Sequence, residues 1–228
     1  MHRFNRALGL AAIIATVFAL MLAAPAWADV LYQQNYDNSG AFWSSQNDTT
    51  GGNGNFATVY DNFTLNSNAT INNVQFMGAY FNPPNQGPIT GWTIQFWSDN
   101  GGQPGSSLFS QHISGNGNET PHGSGDCSGF PCFDYSLDIT GFNATAGTQY
   151  WMSVVPDLGF PPQWGWGNST DGDNISYQDF FGSRSQLGND EAFTLNGGGG
   201  GGGVPEPASL VLLGSGLLGL GRVIRRKK

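Results

Sequence analysis

Phe133-Asp134-Tyr135-Ser136-Leu137-Asp138-Ile139 is the stretch from which the fold class follows. Phe133, Tyr135, Leu137 and Ile139 alternate with Asp134, Ser136 and Asp138, the period of a half-buried strand with its polar face in water. Working outward, Trp92, Ile94 and Phe96 alternate with Thr93 and Gln95, and Val74, Phe76 and Tyr80 share one face around Gly78. Further strands are expected over Phe56 to Leu65, Leu108 to Ile113, Tyr150 to Val155, Ile175 to Phe181 and Glu191 to Leu195. Turn formers separate them: Asn82-Pro83-Pro84-Asn85, Asp99-Asn100-Gly101-Gly102, Pro104-Gly105 and Phe160-Pro161-Pro162. No apolar stripe of helical period interrupts the series. Many short strands with such punctuation predict an all-β domain, an antiparallel β-sandwich of jelly-roll-like type.

The two ends of the chain differ from this body. Arg3 and Arg6 precede an apolar run from Ala7 to Ala24, and Ala26-Trp27-Ala28 supplies a small-x-small cleavage pattern. These are the parts of a secretory signal peptide over residues 1–28, cut after Ala28 by signal peptidase following Sec-type export. An uncleaved signal anchor is the alternative, against which Pro25 and the Ala-x-Ala site argue. At the other end, Gly197 to Gly203 reads as a flexible linker, so the domain is expected to cover residues 29–196.

The chain holds 8 Lys plus Arg and 16 Asp plus Glu, but the bases lie almost wholly at the ends. Residues 29–203 carry 15 acids against Arg184 alone, a formal charge near −14. Nothing there can neutralise phosphates, which excludes nucleic acid as a partner. Anionic lipid surfaces are excluded for the same reason.

Residues 204–228 have three parts in fixed order. Val204-Pro205-Glu206-Pro207 is an extended, accessible strip, because proline lacks a donor and disfavours helix in its neighbour. Ala208 to Ile224 would rise about 26 Å as a helix, slightly under the roughly 30 Å hydrocarbon core. Gly214, Gly216, Gly219 and Gly221 weaken it, so it is a short transmembrane helix suited to temporary anchoring. Arg222, Arg225, Arg226, Lys227 and Lys228 form a basic stop that holds this end in the cytoplasm. The order resembles the PEP-CTERM sorting signal of exported proteins in many Gram-negative bacteria. That resemblance implies processing by an exosortase-like membrane enzyme. It also implies a destination at the cell surface or in the extracellular matrix, in a setting of exopolysaccharide and biofilm formation. A permanent C-terminal anchor is the alternative reading of the tail.

The body also resembles the ectodomains common ahead of such tails. The similarity is carried by Tyr60-Asp61-Asn62-Phe63-Thr64-Leu65, by Ile94-Gln95-Phe96-Trp97-Ser98-Asp99-Asn100-Gly101-Gly102-Gln103-Pro104-Gly105, by Gly147-Thr148-Gln149-Tyr150-Trp151-Met152-Ser153 and by Ala192-Phe193-Thr194-Leu195. It implies the sandwich and adds no catalytic residue.

Three groups carry candidate chemistry. Cys127 and Cys132, the only cysteines, are expected to form a disulfide closing Ser128-Gly129-Phe130-Pro131. Trp164 and Trp166 fall on one side of a strand. They are either a platform on which sugar rings stack or part of the sandwich core. Asp171, Asp173 and Asn174 follow in a loop whose oxygens suit Ca²⁺, although the spacing departs from the EF-hand pattern, or simply make a turn. No nucleophile elbow is present, and His112 and His122 read as solvated side chains. The expectation is a non-enzymatic exported protein with a structural or adhesive role. A carbohydrate-binding module holding extracellular polysaccharide is the second reading, and a secreted hydrolase the third.

Overall fold

The computed structural model describes residues 29–199. The signal peptide assigned to residues 1–28 lies outside the described residues. So do the Pro-Glu-Pro strip, the short transmembrane helix and the basic stop assigned to 204–228.

In chain order the strands are β1 (Asp29–Gln34), β2 (Phe42–Ser44), β3 (Gln46–Asp48), β4 (Gly54–Thr64), β5 (Ala69–Phe81), β6 (Gly91–Asp99), β7 (Pro104–Ser114) and β8 (Thr120–Cys127). They continue with β9 (Phe130–Ala144), β10 (Gln149–Asp157), β11 (Gln163–Ser169), β12 (Ser176–Phe180), β13 (Ser183–Leu187), β14 (Asp190–Glu191) and β15 (Phe193–Gly199). The first sheet runs β1-β15-β5-β11-β14, with β2 paired to β11 and β9 joining β5 to β8. The second runs β13-β12-β4-β3-β10-β6-β7. The all-β sandwich is therefore the fold, and the alternation of Phe133 to Ile139 lies within β9 as expected.

The inward positions of both sheets meet in one aromatic core. Phe76 packs edge-on to Trp92 at 4.9 Å between ring centroids, Trp92 meets Trp164 at 5.1 Å, and Phe96 stacks on Phe142 at 4.5 Å. Edge-to-face and offset pairs of this kind add stabilisation beyond the apolar area they bury. Gly78 is what lets β11 approach β5 here, since a Cβ at that position would strike the Trp164 ring.

The outer faces are not bare. On the second sheet Tyr60, Trp151 and Tyr177 form a buried cluster. Arg184 lies over the Tyr60 ring at 5.0 Å and grips Asp179 through two hydrogen bonds of 2.7 and 2.8 Å. Burial, together with the Asp179 carboxylate, pushes the Tyr60 hydroxyl up to about 12. Arg184 is the only Lys or Arg among the described residues, and it is committed to this contact.

The domain boundary lies later than the sequence reading puts it. Gly197, Gly198 and Gly199 continue β15 and pair with Ile71, Thr70 and Ala69 of β5. A glycine carries the same backbone donor and acceptor as any residue, and β5 extends far enough to offer partners. At Gly197 glycine is needed, because a Cβ would overlap the Thr70 carbonyl oxygen.

Candidate functional site

Trp164 and Trp166 lie on the inner face of β11 and are fully buried, both at 0 % exposure. The indole N–H of Trp164 donates to the Tyr135 hydroxyl (3.1 Å), and that of Trp166 donates to the Ala192 carbonyl (2.8 Å). No sugar can reach either ring. Of the two readings open for them the sandwich core is the one that holds, and the sugar-stacking platform is ruled out. The reason is topological: β11 is an interior strand between β5 and β14, with the second sheet packed over its inner face.

The Asp171–Asn174 loop does not assemble a cation site. Asp171 accepts from the backbone and side-chain amides of Asn35, both at 2.8 Å, which hold its carboxyl below the usual range. Asp173 accepts from the Asn62 side chain at 3.1 Å and from the Ile175 amide at 3.0 Å. Asn174 contributes its backbone N–H, which donates to Asp190 at 2.9 Å. Among the described residues no three His, Cys, Asp or Glu side chains are spaced to hold a metal ion. The residues present do not fit Ca²⁺, and the loop is a turn folded over the Asp190 carboxylate.

Beneath that turn lies a buried acidic group. Asp61 and Glu191 are both at 0 % exposure. Asp61 accepts from the Glu191 amide (2.6 Å) and the Asn62 amide (2.7 Å), and in its satisfied orientation the Gln34 amide adds a third donor at 2.9 Å. Glu191 accepts at Oε1 from Asn189 (3.0 Å), while its buried Oε2 has no partner. Burial pushes both carboxyls well above their ordinary range, against the donated amides at Asp61 and reinforced at Glu191 by the Asp61 charge. With three donors on Asp61 and an orphaned oxygen on Glu191, Glu191 is the member that keeps its proton.

Cys127 and Cys132 are bonded, with Cα atoms 5.8 Å apart. The bridge ties the β8–β9 hairpin together beside Met77 and Ala79 on the outer face of the first sheet. His122, read as a solvated side chain, lies on β8, where Gly123 and Gly125 take positive φ and the pairing with β9 is interrupted between Pro121 and Asp126. Its Nδ1 meets Asp134 Oδ1 at 2.8 Å. His112 meets Asp157 in the same way at 2.8 Å. Among the described residues no hydroxyl hydrogen-bonds either imidazole, so neither pair is extended into a nucleophilic triad.

A cleft of about 430 Å³ opens on the outer face of the first sheet. Its floor is a row across four adjacent strands: Gln33 on β1 faces Thr194 on β15, Thr194 faces Gln75 on β5, and Gln75 faces Ser136 on β9. Asn118, Thr120 and His122 line it from the β8 side and Asn35 and Tyr36 from the β1 side. Tyr36 and His122 meet edge to face at 5.6 Å. Beyond Tyr36 the same face becomes aromatic. Phe42 stacks on Tyr36 at 5.9 Å, and Phe42, Phe81 and Phe130 with Trp43 line a second hollow of about 310 Å³. The sequence reading missed this site. Its only sign was the polar half of the alternation, Asp134 and Ser136, which marks a wet face without telling whether that face is concave.

The PEP-CTERM protein-sorting motif matches residues 203–227. The chain thus carries the signal of an exported, exosortase-processed cell-surface protein, and the body ahead of it is β-rich. No curated protein matches the chain.

Proposed function

We propose that this chain is a non-catalytic surface or matrix protein, exported through Sec and signal peptidase, that acts by adhesion in an exopolysaccharide or biofilm setting. The observation that carries the reading is the sorting motif at residues 203–227 behind a self-contained sandwich. The chemistry of the domain supports it. Among the described residues no hydroxyl joins either histidine–aspartate pair, and the buried carboxyls are sealed from substrate. The tail's short apolar segment serves as a transient inner-membrane anchor in a Gram-negative host, released when the exosortase-like enzyme acts near Val204 to Pro207.

Host strains carrying either the whole chain or the chain cut after residue 203 test this. The whole chain is expected in the surface and matrix fractions, with normal cell aggregation. The shortened chain is expected to leave those fractions, and aggregation to fall with it. Equal aggregation in the two strains, with the protein displaced in one, would contradict the adhesive role.

A further inference from the structure

We infer that the outer face of the first sheet binds a chain of uncharged sugars, lying along the polar cleft with one end on the aromatic hollow. The inference deepens the adhesive reading by naming what is gripped, and it rests on that reading only for where the ligand is met.

Four features lead to the ligand class. The first is the floor. Gln33, Thr194, Gln75 and Ser136 present amide and hydroxyl groups in one row across β1, β15, β5 and β9. Adjacent strands are about 4.8 Å apart, so the row spans about 14 Å, with one polar group per step. That step is comparable with the length of one pyranose ring. Amides and hydroxyls both donate and accept, as the hydroxyls of a sugar do.

The second feature is the contrast with the neighbouring row on the same face. There Asn196 donates to Asn73 (3.1 Å) and Asn73 donates to Asp138 (2.8 Å), a ladder that satisfies itself. In the cleft row Ser136 accepts from Asn73 (3.1 Å) and Gln33 donates to Asn35 (2.9 Å), but Thr194 and Gln75 face each other without a side-chain hydrogen bond among the described residues. Their hydrogen-bonding capacity is directed to solvent, where a ligand can take it up.

The third is the aromatic end. Phe42, Phe81 and Phe130 make a half-buried apolar surface joined to the cleft through the Tyr36–Phe42 stack. Aromatic rings of this kind match the C–H faces of a sugar ring. A concave site that combines apolar walls with a few placed polar groups is the usual form of a small-ligand pocket.

The fourth is charge, which selects among sugars. The cleft's side chains include Asp134 and the His122 it holds but no lysine or arginine, and the body carries 15 acids against one base. A uronate or sulfated chain would bring more negative charge to a surface that has no lysine or arginine to receive it. A neutral chain meets no such penalty.

The test is binding of the full chain, held in a detergent without a sugar headgroup, to soluble neutral glucan and galactomannan and to acidic alginate. The expected result is binding to at least one neutral glycan and none to alginate. The double variant Gln75→Ala/Thr194→Ala should weaken that binding by about tenfold, the loss of one or two net hydrogen bonds. Gln186→Ala on β13 of the second sheet should leave it unchanged. Both changed cleft side chains face solvent, so the melting curve is expected to stay in place. Full binding by the double variant, binding to none of the glycans, or equal binding to alginate would each overturn the inference. None of these results would alter the mass or the location of the processed chain, so a failure here is separable from a failure of sorting.

Discussion

Replacing Trp164 by alanine is expected to cost about 3–5 kcal/mol, a large part of the total stability of a domain this size. The indole fills the space above Gly78, meets Trp92 at 5.1 Å and Tyr135 at 5.8 Å, and is fully buried. Its removal takes away apolar burial and leaves a cavity that the two flanking sheets cannot close. It also removes a donor from a buried chain. The Trp164 N–H donates to the Tyr135 hydroxyl, which donates in turn to Glu119 at 2.9 Å, where the Tyr80 hydroxyl also arrives at 2.6 Å. Trp43→Ala is the matched control, since that indole is 36 % exposed, and its loss should cost far less. Urea unfolding of both variants gives the comparison. Near-parental stability of Trp164→Ala would show that the indole is not core and would reopen it as a binding surface.

Raising the pH should destabilise the domain. Burial raises both the Asp61 and the Glu191 carboxyl, and Glu191 holds in the folded state a proton that it loses when the chain unfolds. Between the unfolded carboxyl range near 4 and the raised folded values, the folded state binds more protons than the unfolded state. Stability therefore falls as pH climbs through that window, by up to about 1.4 kcal/mol per pH unit for each retained proton. The groups facing the pair are Asp190 and Asp173 from the β11–β12 and β14 side, Tyr32 and Gln34 from β1, Ser176 from β12, and Asn189. None is a base that would offset the effect.

Asp48 works in the opposite direction. Burial raises it, but the backbone amides of Phe160, Gly51, Thr50 and Asn53 outweigh that and hold it well below the ordinary range. Its contribution is complete above about pH 4 and is lost on further acidification. Asp179, held down mainly by Arg184, adds to that acid-side loss. The stability maximum should thus lie at mildly acidic pH. Glu191→Gln keeps the shape without the proton and should flatten the decline between pH 5 and 8. A parental curve that rises over that range, or a variant curve with the parental slope, would refute the assignment.

The sandwich could be read from the sequence because strands such as β9 and β6 keep the alternation of buried and more exposed positions. Phe133, Tyr135, Leu137 and Ile139 on β9, and Trp92, Ile94 and Phe96 on β6, all point inward with polar residues between them. β8 escaped, and β11 showed only its inner face, because glycine replaces the alternating side chains. Gly123 and Gly125 bend β8, and Gly165 and Gly167 leave β11 without an outer-face pattern. The two tryptophans were correctly put on one side of a strand. Which side depended on the sheet order, which comes from long-range pairing. Asp61 did leave a sign: it lies in phase with Val59 and Phe63, both at 0 % exposure, so the period of two already pointed it inward. The cleft left less of one, since its floor draws one residue from each of four strands far apart in sequence.

Intact mass spectrometry of the protein recovered from the surface of its host tests the central claim most directly. Export with processing at both ends predicts a chain that begins at Asp29 and ends near the Val204 to Pro207 strip, two mass units lighter for the Cys127–Cys132 bond. A chain that still carries the apolar segment and the basic residues through Lys228 would contradict exosortase processing and make the tail a permanent anchor.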